Sequence, residues 1–288
     1  MTKTSLLLSA VSLFLSITGV AGAQQTQGTL AGILETKTIK LGHLDQSFPF
    51  SFADDKGKPA GYSVELCLKV VAAIEQQFGL QKLDVQWVPV TMANRFDMVI
   101  SGKIDLECGI STNTLSRQKL VDFSLMTWLD GGNFVVKGNR PHGGLVDLAG
   151  KKIAVIAGTT TESALRDALK RDFIDAELIL VKEHLEGLTA LDRGQADAYA
   201  ADQTVLFGLA LAIKNKLSLT LSDRNFSFEP YGLALRRNDA DFKQVVNQTL
   251  ARLYRTGQIG PIYDRWFGKL GKPSTLLSAM FAINGLPE

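Results

Sequence analysis

From Thr38 the chain repeats one pattern: a short apolar run, a turn, then apolar residues three and four apart. "TIKLGHL" predicts a buried strand, and "SFPFSFADDKGKPAGYS" a loop and hairpin turning at Asp54-Asp55-Lys56-Gly57. Val64, Cys67, Val71, Ile74 and Phe78 then recur at helical spacing, and Gly79 ends that helix. "LDVQWVPV" is a strand, 94–101 a short helix stopped by Gly102, and "IDLECG" a third strand. Strands alternating with helices predict an α/β protein with a parallel sheet.

The pattern breaks at "DFSLMTWLDGGNFVVKG", a long extended run containing Gly131 and Gly132, and then restarts. "KKIAVIAG", "AELILVK" and "ADAYAAD" are its strands; helices are predicted over 159–173, 184–193 and 203–214. A second extended run, "FSFEPYGLALRR", precedes a long helix from about Asp239. One pattern used twice implies two lobes. The extended runs near 124–136 and 222–234 are then connecting strands that form a hinge. The expected division is residues 24–130 with 228–288 in lobe 1, and 131–227 in lobe 2. Ligands of open α/β sheets bind beyond the carboxyl ends of the strands.

The first 23 residues stand outside this pattern. Lys3, the run "LLLSAVSLFLSITGV" and the small residues Ala21-Gly22-Ala23 read as a secretory signal peptide. The alternative, a transmembrane anchor, fits poorly with a short run that holds three serines, follows a fourth at Ser5, and has no basic flank. The chain has 31 Lys and Arg against 29 Asp and Glu, with no basic run. That excludes a nucleic-acid surface as the basis of function. A soluble exported protein is expected. Export also bears on Cys67 and Cys108: an oxidising compartment favours a disulfide between them, the alternative being two buried thiols.

Candidate chemistry gathers at strand ends. After "IDLECG" come Ser111, Thr112, Asn113 and Thr114, with Arg117 close behind. Hydroxyls, freed N–H groups and a guanidinium fork suit a small carboxylate. They equally suit a helix N-cap at Ser111 or Thr114 beside a surface arginine. After Gly158, Thr159, Thr160 and Thr161 open a helix whose N-terminus favours an anion, or is simply capped. Asp202 ends a strand before a helix and is either a partner for an ammonium group or another N-cap. Arg95 and His184 sit in helical segments and face either a polar ligand side chain or solvent. No phosphate-loop lysine, dinucleotide fingerprint or Gly-x-Ser-x-Gly elbow is present. His43 and His142 lie in no metal-type spacing. No cofactor, metal or catalytic residue is expected.

These segments together resemble the type II periplasmic binding proteins, in particular the polar amino-acid receptors of ABC importers (solute-binding protein family 3). "FPFSFADDKGKPAGYSVEL", "DLECGISTNTLSRQKLVDFS", "GTTTES", "ADAYAADQ" and "GQIGPIYDRWFG" match in order across nearly the whole mature chain. The nearest look is to the glutamate/aspartate branch, through "NRFDMVISGKIDLECG" and "VKEHLEGLTALDRGQADAYAAD". The resemblance implies a monomeric periplasmic protein whose two α/β lobes, joined by a two-strand hinge, close on an amino acid and deliver it to an inner-membrane permease. It implies that Thr112 and Arg117, with Thr160, hold the α-carboxylate, that Asp202 takes the α-ammonium, and that Arg95 and His184 lie near the ligand side chain. Phe50 and Phe52 would line the cleft or pack its core.

Three positions depart from the acidic-branch pattern: Leu44 for an arginine, and Met92 and Ile110 for serines. They make the side-chain pocket more apolar and leave the bound amino acid open. A few relatives on this fold are dehydratases of cyclohexadienyl acids, an alternative in which Glu107, His184 or Asp202 would supply a general acid. A sensor module is a further rival. The tail "PSTLLSAMFAINGLPE" has no assigned role; it either docks on a lobe or frays.

Overall fold

The computed structural model describes residues 28–139, 143–212 and 218–287. The expected signal peptide, His142 and Lys214 lie outside them. The first stretch folds as α1 (Gly28–Thr36), β1 (Thr38–His43), β2 (Gln46–Ser47), β3 (Ser51–Ala53), β4 (Pro59–Ala60), α2 (Tyr62–Gln77), β5 (Asp84–Pro89), α3 (Arg95–Ile100) and β6 (Leu106–Glu107). β7 (Asp122–Asp130) runs out of it into β8 (Gly132–Lys137). Then follow β9 (Lys152–Ile156), α4 (Thr160–Arg171), β10 (Glu177–Val181), α5 (His184–Asp192), β11 (Ala198–Asp202), α6 (Gln203–Ala212) and β12 (Leu219–Leu221). β13 (Glu229–Leu235) returns, and α7 (Ala240–Arg255), α8 (Ile259–Phe267) and α9 (Thr275–Asn284) complete the order.

Two five-stranded sheets result, in the orders β5-β1-β6-β13-β7 and β10-β9-β11-β8-β12; β2, β3 and β4 make a small third sheet. In each large sheet three parallel strands are extended by an antiparallel one, β13 in the first and β8 in the second. Helices on both faces explain why β11 is buried along its whole length rather than alternating. On α2, Val64, Cys67, Val71 and Ile74 form the buried stripe that its spacing predicts. The first sheet's core centres on Phe50, which meets Trp128, Tyr231 and Phe267 edge-on or tilted at 5.3–5.4 Å between ring centroids. Phe52 packs on Phe48 and Trp266, so both phenylalanines are packing residues.

Cys67 on α2 is disulfide-bonded to Cys108, just past β6, with Cα atoms 6.1 Å apart. The expected strand "IDLECG" is shorter than its pattern suggests, only Leu106–Glu107, because the chain turns at Gly109 to reach β13. The second extended run becomes strand only from Glu229. Before that, it lies against the first crossing. A Cβ on Gly131 would stand 2.7 Å from the Ser227 carbonyl oxygen, and one on Gly132 2.6 Å from the Phe226 ring. The glycine pair therefore lets the two crossings run side by side, tied by Phe226 N–H to the Gly132 carbonyl at 2.8 Å and Gly132 N–H to Ser227 Oγ at 2.9 Å. The tail docks: Leu277, Met280 and Phe281 of α9 are buried, and Phe281 meets Tyr254 of α7 at 5.1 Å.

Candidate functional site

Residues 111–113 form an extended strip against β13. Asn113 N–H donates to the Pro230 carbonyl at 2.7 Å, and Gly232 N–H to that of Ser111 at 3.1 Å. The backbone is thus satisfied within the sheet. Neither Ser111 nor Thr114 caps a helix; Thr114 closes a local turn by accepting from Arg117 N–H at 3.2 Å. Arg117 Nη1 donates to the Thr112 carbonyl at 3.0 Å, and its guanidinium lies 5.1 Å from the Phe96 ring. Arg95, almost fully buried, packs on that same ring at 4.6 Å. Its Nε donates to Ser111 Oγ at 2.9 Å. Phe96 thereby fixes two cations on one wall.

The second sheet supplies the facing wall. Thr159 caps α4 by accepting from Glu162 N–H at 3.1 Å, while Glu162 accepts from Gly158 N–H at 2.7 Å. With the cap satisfied, Thr160 is left to meet Thr112, hydroxyl to hydroxyl, at 3.1 Å. Thr161 donates to Asp202 Oδ1 at 2.7 Å, and Tyr231 from β13 donates to Asp202 Oδ2. Asp202 does not cap α6; the Thr204 N–H there is taken by Asp130 of β7, at 3.2 Å. Thr112, Arg117, Thr160, Asp202, Arg95 and His184 all line one cavity. Met92, Ile110 and Ile156 give it an apolar wall.

Burial sets the charges. It pushes His184 down to about 4, so the imidazole is neutral near pH 7. Both ring nitrogens already have neighbours, Tyr199 Oη at 2.7 Å and Ser47 Oγ at 3.4 Å. Burial, then the Arg117 charge, lowers Arg95 to about 10, still a cation. Burial and the Glu229 charge lift Asp202 to about 6. The cavity therefore offers two cations and hydroxyls at one side and a carboxylate at the other. Among the described residues, no group of three His, Cys, Asp or Glu could hold a metal ion.

Residues 39–269 match the family model of bacterial extracellular solute-binding proteins, family 3. The chain belongs to this family. It is 38% identical to an L-glutamate/L-aspartate-binding protein of Pseudomonas aeruginosa, over 85% of this chain and 82% of that protein. It is 31% identical to a glutamate/aspartate import solute-binding protein of Salmonella typhimurium, over 88% and 84% of the two chains. The solved structure of an ancestral arginine-binding protein bound to glutamine superposes with a TM-score of 0.70 at 29% identity, covering 81% of this chain and 98% of that one. An ancestral amino acid-binding protein, a precursor of cyclohexadienyl dehydratase, gives 0.72 at 28% identity, over 83% and 100%. The two-lobed α/β fold and the resemblance to the glutamate/aspartate branch are borne out.

In this family 3 solute-binding protein, the departures fall unevenly. Met92 and Ile110 reach the cavity, whereas Leu44 is buried near Gly109 and does not line it. Asp130 and Tyr231 are what the sequence reading missed. They belong to the crossings, and Tyr231 Oη joins Asp130 (3.4 Å) to Asp202, which lie 101 and 29 positions before it in the chain. Their signal was local only: Asp130 precedes the glycine pair and Tyr231 follows Glu229-Pro230.

That junction carries a pH prediction for the ligand-free solute-binding protein. Burial, then the Asp202 charge, lifts Asp130 to about 8, against an ordinary 3.8. The folded state then holds a proton that the unfolded chain releases, so stability falls as pH rises between about 4 and 8. The slope per linked proton is about 1.4 kcal/mol per pH unit. Asp130→Asn should flatten thermal melts between about pH 6 and 8 relative to wild type. Parallel profiles for the two proteins would assign the proton elsewhere.

Proposed function

We propose that this chain is the periplasmic receptor of an amino-acid ABC importer. It captures an L-amino acid between two lobes, residues 24–130 with 228–288 and residues 131–227, and presents it to the membrane permease after loss of residues 1–23. The carrying observation is that one cavity draws Arg95, Arg117 and Thr112 from segments packed around the first sheet, and Thr160, His184 and Asp202 from the helix starts and strand end of the second. A zwitterion needs that division. Arg117, Thr112 and Thr160 take the α-carboxylate, Asp202 the α-ammonium, and Arg95 the polar end of a glutamate-like side chain. The relatives that bind glutamate and aspartate support this class of ligand. His184, neutral and with both nitrogens occupied, shapes the wall rather than bearing charge. The protein acts by binding and is no enzyme.

A thermal-shift screen of ligand-stripped protein against the common amino acids tests this. Glutamate, aspartate or glutamine should raise the melting temperature with concentration, by about 2.7 kcal/mol of stabilisation at a hundredfold excess over Kd. No shift with any amino acid, together with turnover of prephenate, would replace the receptor reading with the dehydratase one.

A further inference from the structure

Glu107 ends β6 with no exposed surface, and neither carboxylate oxygen has a partner at hydrogen-bond geometry. Burying a charge in this way is unfavourable unless something compensates it. Its strand neighbours do not: at the same register β1 offers Gly42 and β13 Ala234. The charges that act on it are Arg95 of α3 and, more weakly, Arg117. Burial pushes its pKa up, and these cations with the Ser111 hydroxyl and Gly109 N–H pull it back.

The local chain is shaped around this carboxylate. A Cβ on Gly109 would stand 2.0 Å from Glu107 Oε1, so a side chain there is impossible without displacing it. Ser111 connects it to the cavity. Its Oγ accepts from Arg95 Nε at 2.9 Å, and its hydroxyl stands close enough to favour the Glu107 anion, short of hydrogen-bond geometry. Arg95 lines the cavity and Glu107 does not. The carboxylate thus stands one residue behind the cation.

We infer that Glu107 is a positioning and charge-balancing residue, which aims Arg95 through Ser111 and takes up a solvent proton when a ligand brings a side-chain carboxylate to Arg95. The inference rests on the amino-acid reading above. Without such a ligand, Glu107 as an anion balances the paired cations. A ligand carboxylate puts two anions on one buried cation, and like charges so placed raise the pKa of the group able to titrate. A side-chain amide brings no charge and leaves Glu107 ionised. The choice between glutamate and glutamine therefore depends on pH. Asp202 lines the cavity at the ammonium end, with Asp130 behind it through Tyr231 and the Glu229 charge acting on it, and it meets the same group of either ligand, so the titration of Asp202 and Asp130 cancels in the ratio of the two affinities. His184, held near 4 by burial, stays neutral above about pH 6.

The test is calorimetry with L-glutamate and L-glutamine between about pH 6 and 8.5, in two buffers of different ionisation heat. As pH rises, the ratio of the glutamate Kd to the glutamine Kd should climb, approaching about tenfold per pH unit. Glutamate binding should take up about one more proton than glutamine binding. Glu107→Gln should abolish both effects and hold the preference on the glutamate side. A pH-independent ratio with equal proton uptake in wild type overturns the inference while leaving the receptor reading intact, and it needs no variant that folds. Wild-type protein that binds neither amino acid overturns both.

Discussion

Arg117→Ala should weaken amino-acid binding by about 2–5 kcal/mol, a loss of about 30-fold to a few thousandfold in Kd. Arg117 is half-buried, directed by the Thr112 carbonyl and by the Phe96 face. Its removal takes the fork from the α-carboxylate and leaves that anion in a desolvated cavity with only hydroxyl partners. The fold should survive, because the substitution removes one hydrogen bond to a backbone carbonyl and one ring interaction. Both belong to a polar strip whose backbone stays paired with β13. Arg117→Lys keeps the charge but not the planar pair of donors, and should fall between. Titration calorimetry on all three proteins, each with a circular-dichroism melt, checks this. Wild-type affinity in the alanine variant would remove Arg117 from the α-carboxylate site.

What was legible in the sequence follows the range over which each signal acts. The stripe on α2 and the capping run Thr159-Thr160-Thr161-Glu162 are local, and both form as their spacing requires. Thr112 and Arg117 were legible as a pair because five residues separate them and one strand end presents both. The three places where a helix cap was the alternative to a ligand site divided differently. Thr159 is a cap and Thr114 closes a turn, which leaves Thr112 and Thr160 to face each other. Asp202 is not a cap, since Asp130 reaches the α6 N-terminus from 74 residues away. Nothing in the composition or turn chemistry around Asp130 announces such a pairing; it exists only once β7 and β11 converge on the crossings. The same holds for Glu107. Its place in a strand was readable, but its burial behind Arg95 depends on α3 folding back over the end of β6.

Removing the Cys67–Cys108 bridge should lower stability by about 2–4 kcal/mol, seen as a fall of roughly 5–15 °C in the melting temperature. The bridge spans 41 residues. A closed loop of that size takes away much of the freedom of the unfolded chain, and the entropic estimate is about 4 kcal/mol. The loop contains β5 and α3, hence Arg95, and its far end is next to Glu107. It therefore pins α2 to the segment that carries one wall of the cavity. Two effects are expected of a Cys67→Ala/Cys108→Ala variant, and of reductant on wild type: a lower melting temperature, and weaker ligand binding because closure must then order residues 108–117 as well. Differential scanning calorimetry and titration calorimetry separate them. A lower melting temperature at unchanged Kd would restrict the bridge to holding the fold, and the strip from Ser111 to Asn113, paired to β13, would then hold the site unaided.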